Sequence, residues 1–225
     1  MNAVRIALIH ALAHSVAPIN EALGRDWPEA QRMNLLDDSL SADLAASPGG
    51  LDAAMTQRFI TLADYAVDAG AHAILFTCSA FGPCIEAVKR RHAGLPVLKP
   101  NEAMIDEAVV LAGAAAATDR PAVGLVASFG PTLQSMPGEV PAALPLRCVL
   151  AEGALEALNR GEVARHVALV ADAAARLLDA GCGVVALAQF SLARAREAVQ
   201  ARCPGVPVLT TVDSAVRALR VRLRA

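Results

Sequence analysis

In the stretch LFTCSAFGP, Cys78 ends an apolar run and is followed by small, turn-forming residues. A thiolate can remove a proton from carbon or attack an electrophile, and a thiol can return a proton. A free thiol with a pKa of about 8.5 is only a few per cent ionised at neutral pH, so something must lower it. A helix beginning after CSAFG would offer unpaired backbone N–H groups and the positive end of its dipole. At most about 2 kcal/mol is available there, enough to bring the thiol close to neutrality. The same N–H groups, with Ser79 and Ala80, could cradle a substrate carboxylate or a developing enolate. The bland alternative is a cysteine that merely packs as a small hydrophobe.

Other chemistry-bearing residues are fewer. His10 and His14 are spaced like a helical metal pair, but HALAH lacks the glutamate of the zinc-peptidase motif and no third ligand follows at a telling distance. No metal is expected, and His10 reads better as a substrate-contacting group at a strand end. In MNLLDDSLS, Asp37 reads as a solvated turn or cap, while Asp38 could reach the site as a second acid. In LVASFGPT, Ser128, Phe129 and Gly130 end another strand, where backbone N–H groups could hold a second carboxylate and Phe129 could wall the pocket. Lys99 reads as a solvated or substrate-pairing cation, with imine chemistry as the lesser alternative. Cys84, Cys148, Cys182 and Cys203 read as structural. No dinucleotide or phosphate-loop fingerprint is present.

These residues must be positioned by a chain of 225 residues that is 55% hydrophobic and 19% charged, the composition of a soluble globular protein. A net charge of −2 and 3% aromatics leave neither a polyanion footprint nor a stacking platform, so nucleic acid is not an expected partner. The longest apolar run, residues 108–117, is far short of the roughly 18 residues of a membrane span. The opening MNAVRIALIHALAHS reads as a first strand rather than a signal peptide. Five cysteines without framework spacing fit reduced thiols in a cytoplasm.

Short apolar runs alternate with longer stretches of helical periodicity, which predicts α/β architecture with largely parallel strands. Strands are expected at 4–10, 31–36, 73–77, 96–98, 122–127, 146–150, 184–188 and 206–209. The clearest helices are expected at 51–69, 101–118, 162–180 and 212–224. The chain also repeats itself. A shift of 111 residues places Asp68-Ala69-Gly70 on Asp179-Ala180-Gly181, Glu86-Ala87-Val88 on Glu197-Ala198-Val199, and Pro96-Val97-Leu98 on Pro207-Val208-Leu209. Of the 31 positions from Asp68 to Leu98, 11 are identical without a gap, where chance gives roughly a tenth. Two pseudo-symmetric α/β lobes follow: residues 1–99 with the C-terminal helix 212–225, and residues 100–211. The repeat pairs Cys78 with Gln189, in VALAQFSLA, each at the carboxyl end of a strand, where open parallel sheets bind ligands. The active site is therefore expected in a cleft between the lobes, flanked by Cys78 on one side and by Gln189, Phe190 and Ser191 on the other.

With these features the sequence resembles the aspartate/glutamate racemase superfamily, which includes aspartate, glutamate and hydantoin racemases, maleate isomerase and arylmalonate decarboxylase. The likeness rests on the duplicated halves, on ILFTCSAFG and on the matched turn VALAQFSLA. It implies a cofactor-free enzyme, a dimer, acting on a small carboxylate. In racemases of that family each half supplies one cysteine, one thiol removing an α-proton while the other delivers one to the opposite face. Cys78 matches the first cysteine, but Gln189 occupies the place of the second. An amide cannot shuttle a proton near neutral pH. Three readings follow: a racemase completed by Ser191 or an acid from another loop, a one-thiol lyase, decarboxylase or isomerase, or a protein that binds its ligand without turning it over.

Overall fold

A computed structural model describes residues 4–115 and 120–224. The last residues of the helix expected at 101–118, the ends of the first lobe as expected at 1–99 and 212–225, and part of the apolar run at 108–117 lie outside the described residues. The chain divides into two compact units, Met1–Pro100 with Ala215–Ala225, and Asn101–Ser214.

In the first unit the elements run β1 (Arg5–His10), α1 (Val16–Asp26), β2 (Gln31–Leu36), α2 (Ser39–Ala46), α3 (Ala53–Asp68), β3 (Ala73–Phe76), α4 (Gly82–Arg91) and β4 (Val97–Leu98). The four strands form one sheet in the order β2-β1-β3-β4, and every pair is parallel. The central strands β1 and β3 are almost wholly buried, as near-continuous apolar runs require in a parallel sheet, while the polar QRMNLL of β2 lies at the edge and is half exposed. Asp52 starts α3 by accepting the N–H of Met55 at 2.7 Å. Phe59 of α3 stacks on Phe76 at 5.3 Å between ring centroids and meets Phe81 at 4.8 Å. All three rings are buried, and each contributes up to about 1.5–3 kcal/mol of burial at the base of the Cys78 turn.

The second unit runs α5 (Glu102–Ala115), β5 (Ala122–Ala127), α6 (Gly130–Ser135), β6 (Leu146–Leu150), α7 (Ala154–Asn159), α8 (Val163–Asp179), β7 (Cys182–Leu187), α9 (Arg196–Arg202), β8 (Val208–Thr210) and α10 (Thr211–Arg224), whose residues from Ala215 onward belong to the first unit. Its sheet has the matching order β6-β5-β7-β8, again parallel throughout. Strand alternation sends Val123, Leu125, Val184 and Ala186 to one core with Met104 and Ala108 of α5. Ala122, Val126, Val185 and Leu187 go to another with Val170 and Leu177 of α8. Gly124 and Gly183 allow close approach: an added Cβ would lie 2.9 Å from Leu177 and 2.2 Å from the carbonyl oxygen of Arg120, respectively.

The duplication read from the sequence is visible in the backbone. Ala69 N–H bonds Tyr65 O at 3.0 Å and Gly70 N–H bonds Val67 O at 2.9 Å. One repeat later Ala180 and Gly181 bond Arg176 O at 3.1 Å and Leu178 O at 2.9 Å. Gly70 and Gly181 both close their helices at positive φ, 79° and 83°. No described helix is long and apolar enough to cross a membrane.

Candidate active site

Cys78 follows β3 directly, in extended backbone (φ −121°, ψ 119°), and caps a 3₁₀ turn, Ser79–Phe81, that leads into α4. The helix starts at Gly82, where the sequence puts it after the cysteine turn, with Pro83 in its first turn supplying no N–H. The residue is partly exposed. Burial of the thiol pushes its pKa up, and this outweighs the hydrogen bond that the Ala80 N–H donates to it. The expectation of a thiol lowered toward neutrality is thus corrected. Desolvation of the charged form dominates.

Ser41 of α2 is a neighbour the sequence did not single out. Its Oγ lies 4.0 Å from Cys78 Sγ and donates to Ala11 O at 2.7 Å. A hydroxyl has one proton, and the shorter bond claims it, so Ser41 accepts from the thiol rather than donating to a thiolate. Arg58 holds the start of α2, pairing with Asp37 and Asp43 at 2.6 Å each and donating to Ser39 Oγ at 2.6 Å. Burial works against the charge on Asp37, but Ser39 and Arg58 outweigh it and hold the carboxyl below the usual range. Asp38 caps α2 without a side-chain cap bond and is exposed.

His10 ends β1 and is fully buried, with Nδ1 2.8 Å from Thr77 Oγ1 and Nε2 3.0 Å from Asn34 Oδ1. Its tautomer follows from a chain of donors. Val16 O can only accept, so the atom of Asn20 facing it at 2.7 Å is Nδ2. That Nδ2 also donates to Asn34 Oδ1 at 2.8 Å, which makes Oδ1 the acceptor for a proton on His10 Nε2. His10 Nδ1 then accepts from Thr77, the residue before Cys78. Desolvation lowers the His10 pKa, leaving the ring neutral. His10 and Cys78 line one apolar crevice with Ile9, Ala11, Leu40, Phe59 and Phe76, which does not admit a water molecule. Both ring nitrogens being engaged, His10 braces the turn in this structure.

The corresponding turn of the second unit begins at Gln189, also extended (φ −142°, ψ 145°), and leads through a 3₁₀ turn, Phe190–Ala195, into α9. Gln189 Oε1 accepts the Ser128 N–H at 2.5 Å and the Ser128 hydroxyl at 3.1 Å, joining the ends of β5 and β7. Ser191 is buried and its hydroxyl has no partner among the described residues. Phe190 is fully buried, while Phe129 and Gly130 are partly exposed at the start of α6. Ser79 and Ala80 are buried beside Cys78. Lys99 is ion-paired with Glu86 of α4 at 3.0 Å.

Neither Ser41 nor the Asn20–Asn34–His10–Thr77 chain carried a motif. The available signals were His10 itself, singled out at its strand end, and the neighbours Asp38 and Cys78, which also stand at strand ends. Solved structures repeat this fold. Glutamate racemase from Francisella tularensis in complex with D-glutamate superposes with a TM-score of 0.74 at 15% identity, covering 100% of this chain and 82% of that one. Allantoin racemase from Klebsiella pneumoniae gives 0.69 at 16% identity, over 98% and 88%. Unliganded arylmalonate decarboxylase gives 0.61 at 18% identity, over 96% and 92%. No curated protein sequence is measurably similar to this chain. The family model described as Asp/Glu/Hydantoin racemase matches residues 13–219, nearly the whole length and both strand-end turns, so the chain belongs to the Asp/Glu/Hydantoin racemase family of enzymes.

Proposed function

We propose that this enzyme is a cofactor-independent racemase or isomerase of a small carboxylate, amino-acid-like or a related acid, and that Cys78 is the group that moves the proton. The observation that carries the reading is the Cys78 turn. Cys78, a partly exposed residue, stands at the carboxyl end of a central parallel strand, its sulfur facing the Ala80 N–H, and is braced by buried aromatics and the His10–Thr77 bond. In the reaction the Cys78 thiolate takes the α-proton, so the C–H bond breaks, an S–H bond forms and the electron pair moves onto the substrate carboxyl group; a proton from solvent then adds to the opposite face, the pair returns to form the new C–H bond, and Cys78 gives its proton back to solvent. Ser79 and Ala80 supply N–H groups for that charge. Asp38, Phe129, Gly130 and Phe190 belong to the substrate-binding set. The enzyme works as a homodimer in the cytoplasm, a setting that suits its five free cysteines.

A second reading, a one-thiol decarboxylase or lyase, is favoured by Gln189 at the matched turn and by the burial that keeps the Cys78 thiol protonated. There a C–C bond breaks, CO₂ leaves with the electron pair remaining on the enolate, and Cys78 delivers its proton to carbon. Water then restores the thiol. A panel of amino acids, hydantoins, maleate and substituted malonates tests both, with wild type and Cys78→Ser compared in D₂O. Scrambled stereochemistry with α-deuterium supports the first reading, and product short of one carboxyl with a single configuration supports the second. Turnover undiminished in Cys78→Ser defeats both.

A further inference from the structure

We propose that Gln189 is a fixed anion-binding donor, its side-chain amide holding a carboxylate or enolate oxygen of the ligand. The inference rests on the reading above only in taking that ligand to be a small carboxylate.

A backbone N–H can donate and never accept, so the Gln189 atom 2.5 Å from the Ser128 N–H is the carbonyl oxygen. The Ser128 hydroxyl, at 3.1 Å, takes the second lone pair of the same oxygen. The acceptor capacity of the amide is then filled, and Gln189 can only donate to a ligand. Its Nε2 has no partner among the described residues, although the side chain is only half buried. Holding a flexible side chain in one rotamer costs up to about 1.5–2 kcal/mol. Here that ordering leaves two N–H groups pointing away from Ser128 and unclaimed.

The repeat makes the pairing more telling. Ala188 N–H bonds Val126 O at 2.9 Å, and Thr77 N–H bonds Ile9 O at 3.0 Å, so Gln189 matches Cys78 and Ser128 matches Ala11. The half with the amide carries a hydroxyl that fixes it, and the half with the thiol carries a methyl there. Two residues on, Ser191 adds a buried hydroxyl without a partner, a polar group that a ligand oxygen would satisfy. An amide neither gives up nor takes a proton in this range. Gln189 therefore contributes by hydrogen bonding to the anionic oxygens of its ligand, and Ser128 is its positioning residue.

Malonate, titrated by calorimetry and by the Gln189 side-chain amide signals in NMR, tests the proposal. Wild type binds with a shift of those signals. Gln189→Glu keeps the acceptor for Ser128 but replaces the donors with an anion, and binds about tenfold to a hundredfold more weakly, the range of a hydrogen bond to a charged group. The neutral pair Gln189→Met with Ser128→Ala leaves only the backbone N–H of residue 128 without its acceptor and weakens binding too, which separates donor loss from charge repulsion. Ser128→Ala weakens binding and Ser128→Thr restores it. Wild-type affinity in the neutral pair or in Gln189→Glu, or no wild-type binding at millimolar malonate, overturns the assignment. Turnover that survives in Cys78→Ser defeats the proposed function and leaves the malonate result standing.

Discussion

Replacing His10 by phenylalanine tests the brace beneath the reactive turn. The ring fills a similar volume but loses both hydrogen bonds, to Thr77 and to Asn34. Neither partner is orphaned. Thr77 can turn to Ile9 O, now 3.4 Å away, and Asn34 Oδ1 keeps Asn20. The cost is therefore the net worth of two buried hydrogen bonds, about 2 kcal/mol in all. The sign of its pH dependence follows from the lowered pKa of the buried ring. A base whose folded pKa lies below its unfolded value gives stability that is full above the unfolded pKa, about 6.5, and lost as pH falls. Wild type thus loses at most about 1.4 kcal/mol per pH unit below that point on this account, and His10→Phe does not. In urea titrations the gap between the two proteins is about 2 kcal/mol near pH 7.5 and narrows toward pH 5.5, by at most about 1.4 kcal/mol. Taking the difference cancels the carboxylates common to both. A gap unchanged between those pH values would show that His10 is not held neutral, and the donor chain from Val16 would be wrong.

The Cys78 thiol, raised by burial, is alkylated by iodoacetamide at a rate that climbs through the alkaline range when the exposed Cys148 is replaced by serine; a rate already level at neutral pH contradicts this. Turnover in wild type follows the same alkaline limb if the thiolate is the base. Arg58→Met breaks two partly exposed ion pairs and costs about 1 kcal/mol in all, less at high salt, with the urea midpoint as readout. It also frees the start of α2, so in the same Cys148→Ser background the alkylation rate at Cys78 changes on Arg58→Met. Ser191→Ala removes a hydroxyl that bonds nothing among the described residues, so unliganded stability stays within about 0.5 kcal/mol or rises; a loss above about 1 kcal/mol means the hydroxyl has a partner.

The elements were legible wherever one physical signal dominated. Gln31–Leu36, Ala122–Ala127 and Leu146–Leu150 fall where the sequence puts them, because turn residues bound short apolar or alternating runs. The strand expected at 184–188 begins earlier, at Cys182, since Gly183 reads as a turn by type but sits in the sheet against Arg120 O. The strand expected at 206–209 starts and ends later, at Val208–Thr210, because threonine serves equally as a strand end and as a cap, here bonding Asp213. The Cys78 turn was visible from composition alone. Its electrostatics were not, since desolvation depends on Phe59 and Leu40, which lie far from it in sequence. Likewise, nothing local ties Ser128 to Gln189, 61 residues on.

The two halves differ in the layer that duplication leaves free to change. Features written in the backbone recur one repeat apart: the closing glycines, the bond of Ile74 N–H to Pro96 O at 2.9 Å, and that of Val185 N–H to Pro207 O at the same distance. They recur because they need only a peptide group and a few φ-permissive residues. The chemistry lies in side chains at the two strand ends, where those restraints do not reach. One turn therefore keeps a polarisable thiol over an apolar crevice, and the other exchanges it for an amide locked by a serine. If the two turns act on one ligand as proposed, proton transfer is one-sided: the thiol moves the proton and the donor-only amide holds charge. Restoring symmetry takes two changes, because Gln189→Cys alone leaves the Ser128 N–H and hydroxyl without the acceptor they now share. Gln189→Cys with Ser128→Ala matches the Cys78–Ala11 pair. If one-sidedness is the reason this chain departs from the two-thiol pattern, α-deuterium exchange in that double variant is accompanied by loss of configuration that wild type does not show. Equal loss of configuration in both proteins would place the second proton donor elsewhere.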